Sequence, residues 1–210
     1  MSTPEQQDAI VFVDGQNLFK AAKEAFGYTY PNYDVLKLAG AICALQGWRL
    51  KQVRFYTGIP DRADNPFWNQ FWTAKLLALS RGGAYTFSRS LRYRTKVISL
   101  PDGLQHSFVT AEEKGIDVRI ALDVIRLAHR GEYAVGVIFS QDQDLYEVAR
   151  EVRLIAQEQH RWIKLASAYP CSAASRNRRG VNATDWIPID KATYDANIDP
   201  ADYRPGKTGF

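Results

Sequence analysis

The chain has 210 residues, enough for one sizeable core, and its 46% hydrophobic and 24% charged residues are ordinary for a soluble globular protein. No stretch reaches the roughly 20 apolar residues of a membrane span, and Cys43 and Cys171 show neither metal-ligand spacing nor a disulfide framework. A net charge of +4 is modest, and with the polar opening "MSTPEQQD", which has no secretory or transit character, a cytoplasmic location is the expectation.

In chain order, "AIVFVDG" (9–15) is a continuous apolar run that reads as a strand buried on both faces. Helical spacing follows over 16–25 and again over 33–45, then "VRFYTGI" (53–59) reads as a second strand. Residues 67–79 form a third helix. Its Phe67, Trp68, Phe71 and Trp72 exceed one buried face, which suits a homodimer contact, although burial against the sheet accounts for them as well. Gly82-Gly83 ends this helix, and residues 84–100 alternate as one long strand or a hairpin. "PDGLQHSFVTAEEK" (101–114) reads as a loop. A helix over 115–131, a central strand "AVGVIF" (134–139), a helix over 145–157 and a strand "WIKLASA" (162–168) follow. "WIPI" (186–189) is a last short strand, and the polar, proline-containing tail beyond residue 190 reads as a poorly fixed extension. Strands alternating with helices predict an α/β domain with a largely parallel sheet and helices on both faces.

In such sheets ligands bind outside the carboxyl ends of the strands. Asp14 ends the first strand, and Asp142 and Asp144 follow the central one. Asp117 opens the helix leading into the central strand, so it returns to the same edge. Four carboxylates gathered there repel one another unless a cation or bound protons compensate, and oxygen ligation is what Mg²⁺ or Mn²⁺ prefers. Simpler readings exist for single residues. Asp142 can cap the following helix, and Asp144 and Asp117 can complement helix dipoles. Asn17 can cap the first helix or steady a carboxylate. Ser140 can donate to a carboxylate or merely satisfy backbone. Asp123 lies about 240° around the helix from Asp117, so it ranks as a secondary, supporting acid.

The combination "VFVDGQN", "KGIDVRIALDVIRLA" and "VGVIFSQDQDL" resembles the NYN domain family, relatives of the PIN-domain nucleases, over roughly residues 9–170. The resemblance implies a Rossmann-like (PIN-like) fold. The domain is expected over residues 1–190, with 81–107 as a basic insertion or hairpin and 191–210 as a C-terminal extension, and the resemblance explains neither of these two segments. It also implies metal-dependent cleavage of RNA, with the single-stranded form favoured by the interleaved aromatics. Catalysis would fall to Asp14, Asn17, Asp117, Asp142 and Asp144. The four aspartates would hold Mg²⁺ or Mn²⁺, and RNA would be the partner. Gln141 stands where the family usually has Gly, so the turn after the central strand is expected to differ; Leu145 stands where an aromatic is common.

Two basic segments are free of acids, 81–96 and 161–179. Arg89, Arg92, Arg94, Lys96, Lys114, Arg176, Arg178 and Arg179 are the expected contacts to a nucleic-acid backbone. A glycosyltransferase Asp-x-Asp reading of 142–144 leaves Asp14 and Asp117 without a role. A catalytically inactive RNA-binding module of the same fold is the main rival to a nuclease.

Overall fold

The computed structural model describes residues 6–99 and 104–206. Six strands form one sheet: β1 (Asp8–Asp14), β2 (Arg49–Ile59), β3 (Tyr85–Ser90), β6 (Val135–Phe139), β7 (Lys164–Pro170) and β8 (Asp185–Ile189), in the order β3-β2-β1-β6-β7-β8. Every pairing in it is parallel. Alternate residues of β1 enter different cores. Ala9, Val11 and Val13 join one cluster, and Ile10 and Phe12 join the other. That two-sided burial is why these strands read as unbroken apolar runs.

On one face lie α1 (Gly15–Phe26), α2 (Val35–Leu45) and α3 (Pro66–Arg81), with Leu18, Leu38, Ile42, Phe71 and Trp72 buried. On the other lie α4 (Ile116–His129) and α5 (Tyr146–Glu158), through Ile120, Val124, Val148 and Val152. Phe71 and Trp72 therefore pack inward, while Phe67 is exposed. The expected α/β architecture, a parallel sheet covered on both faces, is the one observed.

Two segments differ from expectation. The stretch 84–100 is neither one strand nor a self-contained hairpin. It divides at Leu91, so that β3 completes the main sheet beside β2 and β4 (Arg92–Ser99) leaves it. The partner of β4 is β5 (Gln105–Glu112), which falls where the sequence predicts a loop. The residues 100–103 between them lie outside the described residues. This antiparallel arm is exposed along most of its length, so β5 lacks the one-sided burial that marks a strand in sequence.

The tail is also fixed, as far as it is described. A short helix, α6 (Lys191–Asp195), buries Tyr194 against Phe26, Tyr28 and Tyr33. The backbone then returns along residues 32–34, through Asp34 N–H to Asn197 O and Asp199 N–H to Asn32 O. Lys75, wholly buried, donates to Tyr33 O at 2.8 Å and to Asp199 at 3.2 Å. Polar composition hides this, because the segment is held by aromatic rings and one buried ion pair rather than by an apolar stripe. No helix among the described residues is long and apolar enough to cross a membrane.

Candidate active site

The order of the sheet reverses between β1 and β6: the chain moves outward through β2 and β3, then restarts on the opposite side of β1. Such a switch point opens a crevice at the carboxyl ends of its two strands. Asp14 ends β1, and Ser140 directly follows β6, its register neighbour. Asp14 caps α1, accepting from Asn17 N–H at 3.0 Å, while its other oxygen faces the Ser140 hydroxyl at 3.4 Å. The Asn17 side chain reaches across the switch point and accepts from Gln141 N–H at 2.9 Å. Asn17 does not cap α1, since Asp14 does; its backbone N–H steadies the Asp14 carboxylate, and its amide anchors the turn after β6. Asp142 donates its N–H to Ser140 Oγ at 3.1 Å and caps the following turn by accepting from Asp144 N–H at 3.0 Å. Capping and site-building are therefore done by the same aspartates.

Asp117 enters from the first turn of α4. Its helix begins at Gly115, whose φ of 76° is left-handed and where a Cβ would stand 2.5 Å from the Arg89 guanidinium. The left-handed φ selects glycine, whereas the Arg89 guanidinium, the far end of a flexible side chain, could give way. Asp14, Asn17, Asp117 and Asp142 line one cleft of about 340 Å³ with Gln16, Lys20, Glu112 and Glu113. Asp144 is exposed at its margin and close enough to act on Asp117.

The electrostatics of the cleft are unfavourable to its own charges. Burial raises the Asp14 carboxyl to about 6, with Asp117 and Asp142 adding repulsion against the bond from Asn17. Burial, then Asp14 and Asp117, pushes Glu113 to about 7. Asp117 is raised by burial and by Asp142 and Asp144. Lys20 opposes the shift in all three cases. Glu113 is a residue that sequence reasoning misses. It accepts Gly58 N–H at 3.0 Å at the end of β2, and its one visible signal is its place in "EEKGID", four residues before Asp117.

Among the described residues no three ligating side chains converge into a ready-made metal cage. The donors nevertheless suit a hard divalent ion. They are carboxylates, they repel one another, and Mg²⁺ keeps several waters and is held through one or two carboxylates rather than by an all-protein cage.

The NYN domain profile matches residues 8–178. The chain belongs to the NYN domain family. This is a nuclease-like family, and the matched span contains every residue of the cleft. No curated protein matches the chain. Among solved structures, a protein of unknown function from Vibrio parahaemolyticus is similar at 19% identity and a TM-score of 0.53, over 91% of this chain and 98% of that one. Ribokinase from Giardia lamblia aligns at 8% identity and a TM-score of 0.39, over 85% of this chain and 54% of that one. The first supports the fold alone, and the second carries no argument.

Not every expected residue of the NYN domain joins the cleft. Asp123 is buried toward β2, bonded by Arg54, Tyr56, Arg119 and Arg126. Its partners are these arginines and the tyrosine rather than the acids of the cleft, so it sits at the centre of an ion-pair network outside the cleft. Gln141 does not occupy the left-handed region, so the turn needs no glycine. Its side chain has its own task, donating to Asn177 O at 3.2 Å and Arg179 O at 2.8 Å. Gln143 likewise donates to Gly180 O and accepts from Asn182 N–H. The glutamines of "SQDQDL" thus pin the basic loop 171–184 beside the aspartates.

In that loop Arg178 folds back, its guanidinium bonded to Ser175 O and Ala173 O, and Arg176 and Arg179 are exposed beside it. Arg89 lies against Gly115 and over the Phe87 ring at 5.6 Å, and Lys114, next to that glycine in the chain, is exposed. On the arm, Arg92, Arg94 and Lys96 share a face with Phe108 and His106 by register. Arg94 and Lys96 both pair with Glu112 at the edge of the cleft, so the arm's basic face runs down to the acids.

Proposed function

We propose that the cleft is the centre of a metal-dependent endoribonuclease acting on single-stranded RNA. One observation carries this: Asp14, Asp117, Asp142 and Glu113 converge at the switch point without matching positive charge, an arrangement that costs stability unless a cation is bound. Asp14, Asp117, Asp142 and Asp144 are the residues that would hold Mg²⁺ or Mn²⁺, in part through water. A bound ion there would lower the pKa of a water and offset charge on the attacked phosphate. The chain's own residues do the rest. Asn17 and Ser140 fix the aspartates across the switch point. Lys20, Arg89 and Lys114 flank the acids and suit phosphate oxygens. Arg92, Arg94, Lys96, Arg176 and Arg179 extend a basic track on either side, for which flexible single strands are better partners than a stiff duplex.

A second reading, an RNA-binding module without catalysis, is favoured by the lack of a ready-made cage among the described residues. A labelled, unstructured RNA incubated with Mn²⁺, Mg²⁺ or EDTA separates them. Metal-dependent cutting is expected. Binding without cutting under every condition supports the second reading and contradicts the first.

A further inference from the structure

Beside the acidic cleft a second cavity, of about 260 Å³, opens between α1, α3 and the segment that follows β2. Its walls include Phe19, Trp68, Trp72, Pro60 and Leu91, and Gln16 lines both this cavity and the cleft. Trp72 is buried in the core, but Trp68 is only half-buried. The Trp68 ring is braced by Phe19, Phe67 and Phe71. Its backbone N–H is taken by the Asn65 cap at 3.1 Å, and Asn69 ties Pro60 to α3 at 2.8 Å. On the far side, Asp61 N–H donates to the Tyr93 hydroxyl at 2.9 Å, which joins this wall to the base of the arm. The cavity therefore adjoins the acids through Gln16 and the arm through Tyr93, on the face of β4 opposite to its basic residues.

Among the described residues no charged side chain lines this cavity, so a phosphate has no partner in it. A flat apolar group with one polar edge does: a rigid aromatic wall offers stacking, and the Gln16 amide offers both a donor and an acceptor. We infer that the cavity receives one unpaired nucleobase, on the nucleotide adjoining the phosphate held at the acidic cleft, with Trp68 as the stacking surface and Gln16 at the base edge. This rests on the reading of the cleft as an RNA site, and it adds a subsite that would set which nucleotide is cut beside.

The test is equilibrium binding with Ca²⁺, a hard cation that takes the same oxygen ligands, read before any cutting by anisotropy of end-labelled single-stranded RNA hexamers, each with one nucleotide made abasic in turn. One position in the series is expected to weaken binding to the wild type by roughly five- to 150-fold, the range for loss of one stacked base. Trp68→Ala should weaken the intact hexamer similarly and become indifferent to the abasic position. Trp68→Phe should restore most of the affinity, which a merely unfolded variant could not do. The inference is overturned if no position matters, if the two losses simply add, if Trp68→Phe restores nothing, or if Trp68→Ala changes only the oligomeric state in sedimentation. Cleavage with Mn²⁺ is scored separately. RNA that binds through Trp68 and is never cut defeats the nuclease reading alone, and RNA that is cut regardless of Trp68 defeats this one alone.

Discussion

Asp117 and Asp123 stand six residues apart on one helix and live in opposite environments. Asp123 is buried to 1% exposure, yet hydrogen bonds from Arg54 and Tyr56, with Arg119 and Arg126 alongside, hold its carboxyl below the ordinary range despite that burial. Asp117 is more exposed and is nevertheless raised, by burial and by Asp142 and Asp144. Burial alone does not distinguish a structural acid from one held for a ligand. The difference lies in the charge arranged around each: Asp123 has three arginines, while the cleft sets acid against acid.

The largest effect expected from this contrast is on activity. Asp14→Asn or Asp117→Asn should lower the rate of RNA cleavage by more than the roughly 10- to 100-fold that loss of an outer partner of a metal ligand costs. Steady-state cleavage of the labelled RNA measures it. Asp123→Ala should do the reverse. Leaving the buried Arg54 without its carboxylate should cost about 3–5 kcal/mol of stability in urea unfolding, with cleavage per folded molecule unchanged. If Asp123→Ala kept its stability and lost its activity, the division between the two aspartates would be wrong.

A smaller effect has the opposite sign to an ordinary carboxylate. Asp14 and Glu113 titrate higher in the folded protein than in an unfolded chain, at about 6 and about 7. Between about pH 4 and 7 the folded state therefore holds more protons, and these two groups make it less stable as pH rises through that window. In EDTA at pH 7.5, Asp14→Asn should stabilise the protein by up to about 3 kcal/mol, the equivalent of a shift from 3.8 to about 6. Asn retains the cap on α1, and urea midpoints at pH 5 and 7.5 show whether the gain appears only at the higher pH. The smallest effect concerns the arm. Arg94→Ala with Lys96→Ala should reduce the salt dependence of RNA binding by about 0.7 in log–log slope for each phosphate that is no longer neutralised.

Sequence makes the sheet and its acids legible for a physical reason. β1 and β6 are buried on both faces, so each is an apolar run with a sharp polar end, and a parallel topology then forces those ends to one edge. Glu113 is not legible, because its importance depends on Gly58 at the end of another strand. The three-arginine shell of Asp123 combines α4 with β2, which spacing along the helix cannot reveal. The arm's second strand, β5, and the tail escape for a reason common to both: neither buries an apolar stripe, so neither carries a clear period. The tasks of Gln141 and Gln143 are hidden likewise, since they bond to loop backbone groups some 36 to 39 residues away.

The most direct test of why the acids are left unneutralised is calorimetric titration of Mn²⁺ into the metal-free protein at pH 7.5, with Asp14→Asn and Asp123→Asn beside the wild type. Saturable binding to the wild type and to Asp123→Asn, weakened or lost in Asp14→Asn, is the predicted result. Equal binding by all three proteins, or none by the wild type, would contradict the account.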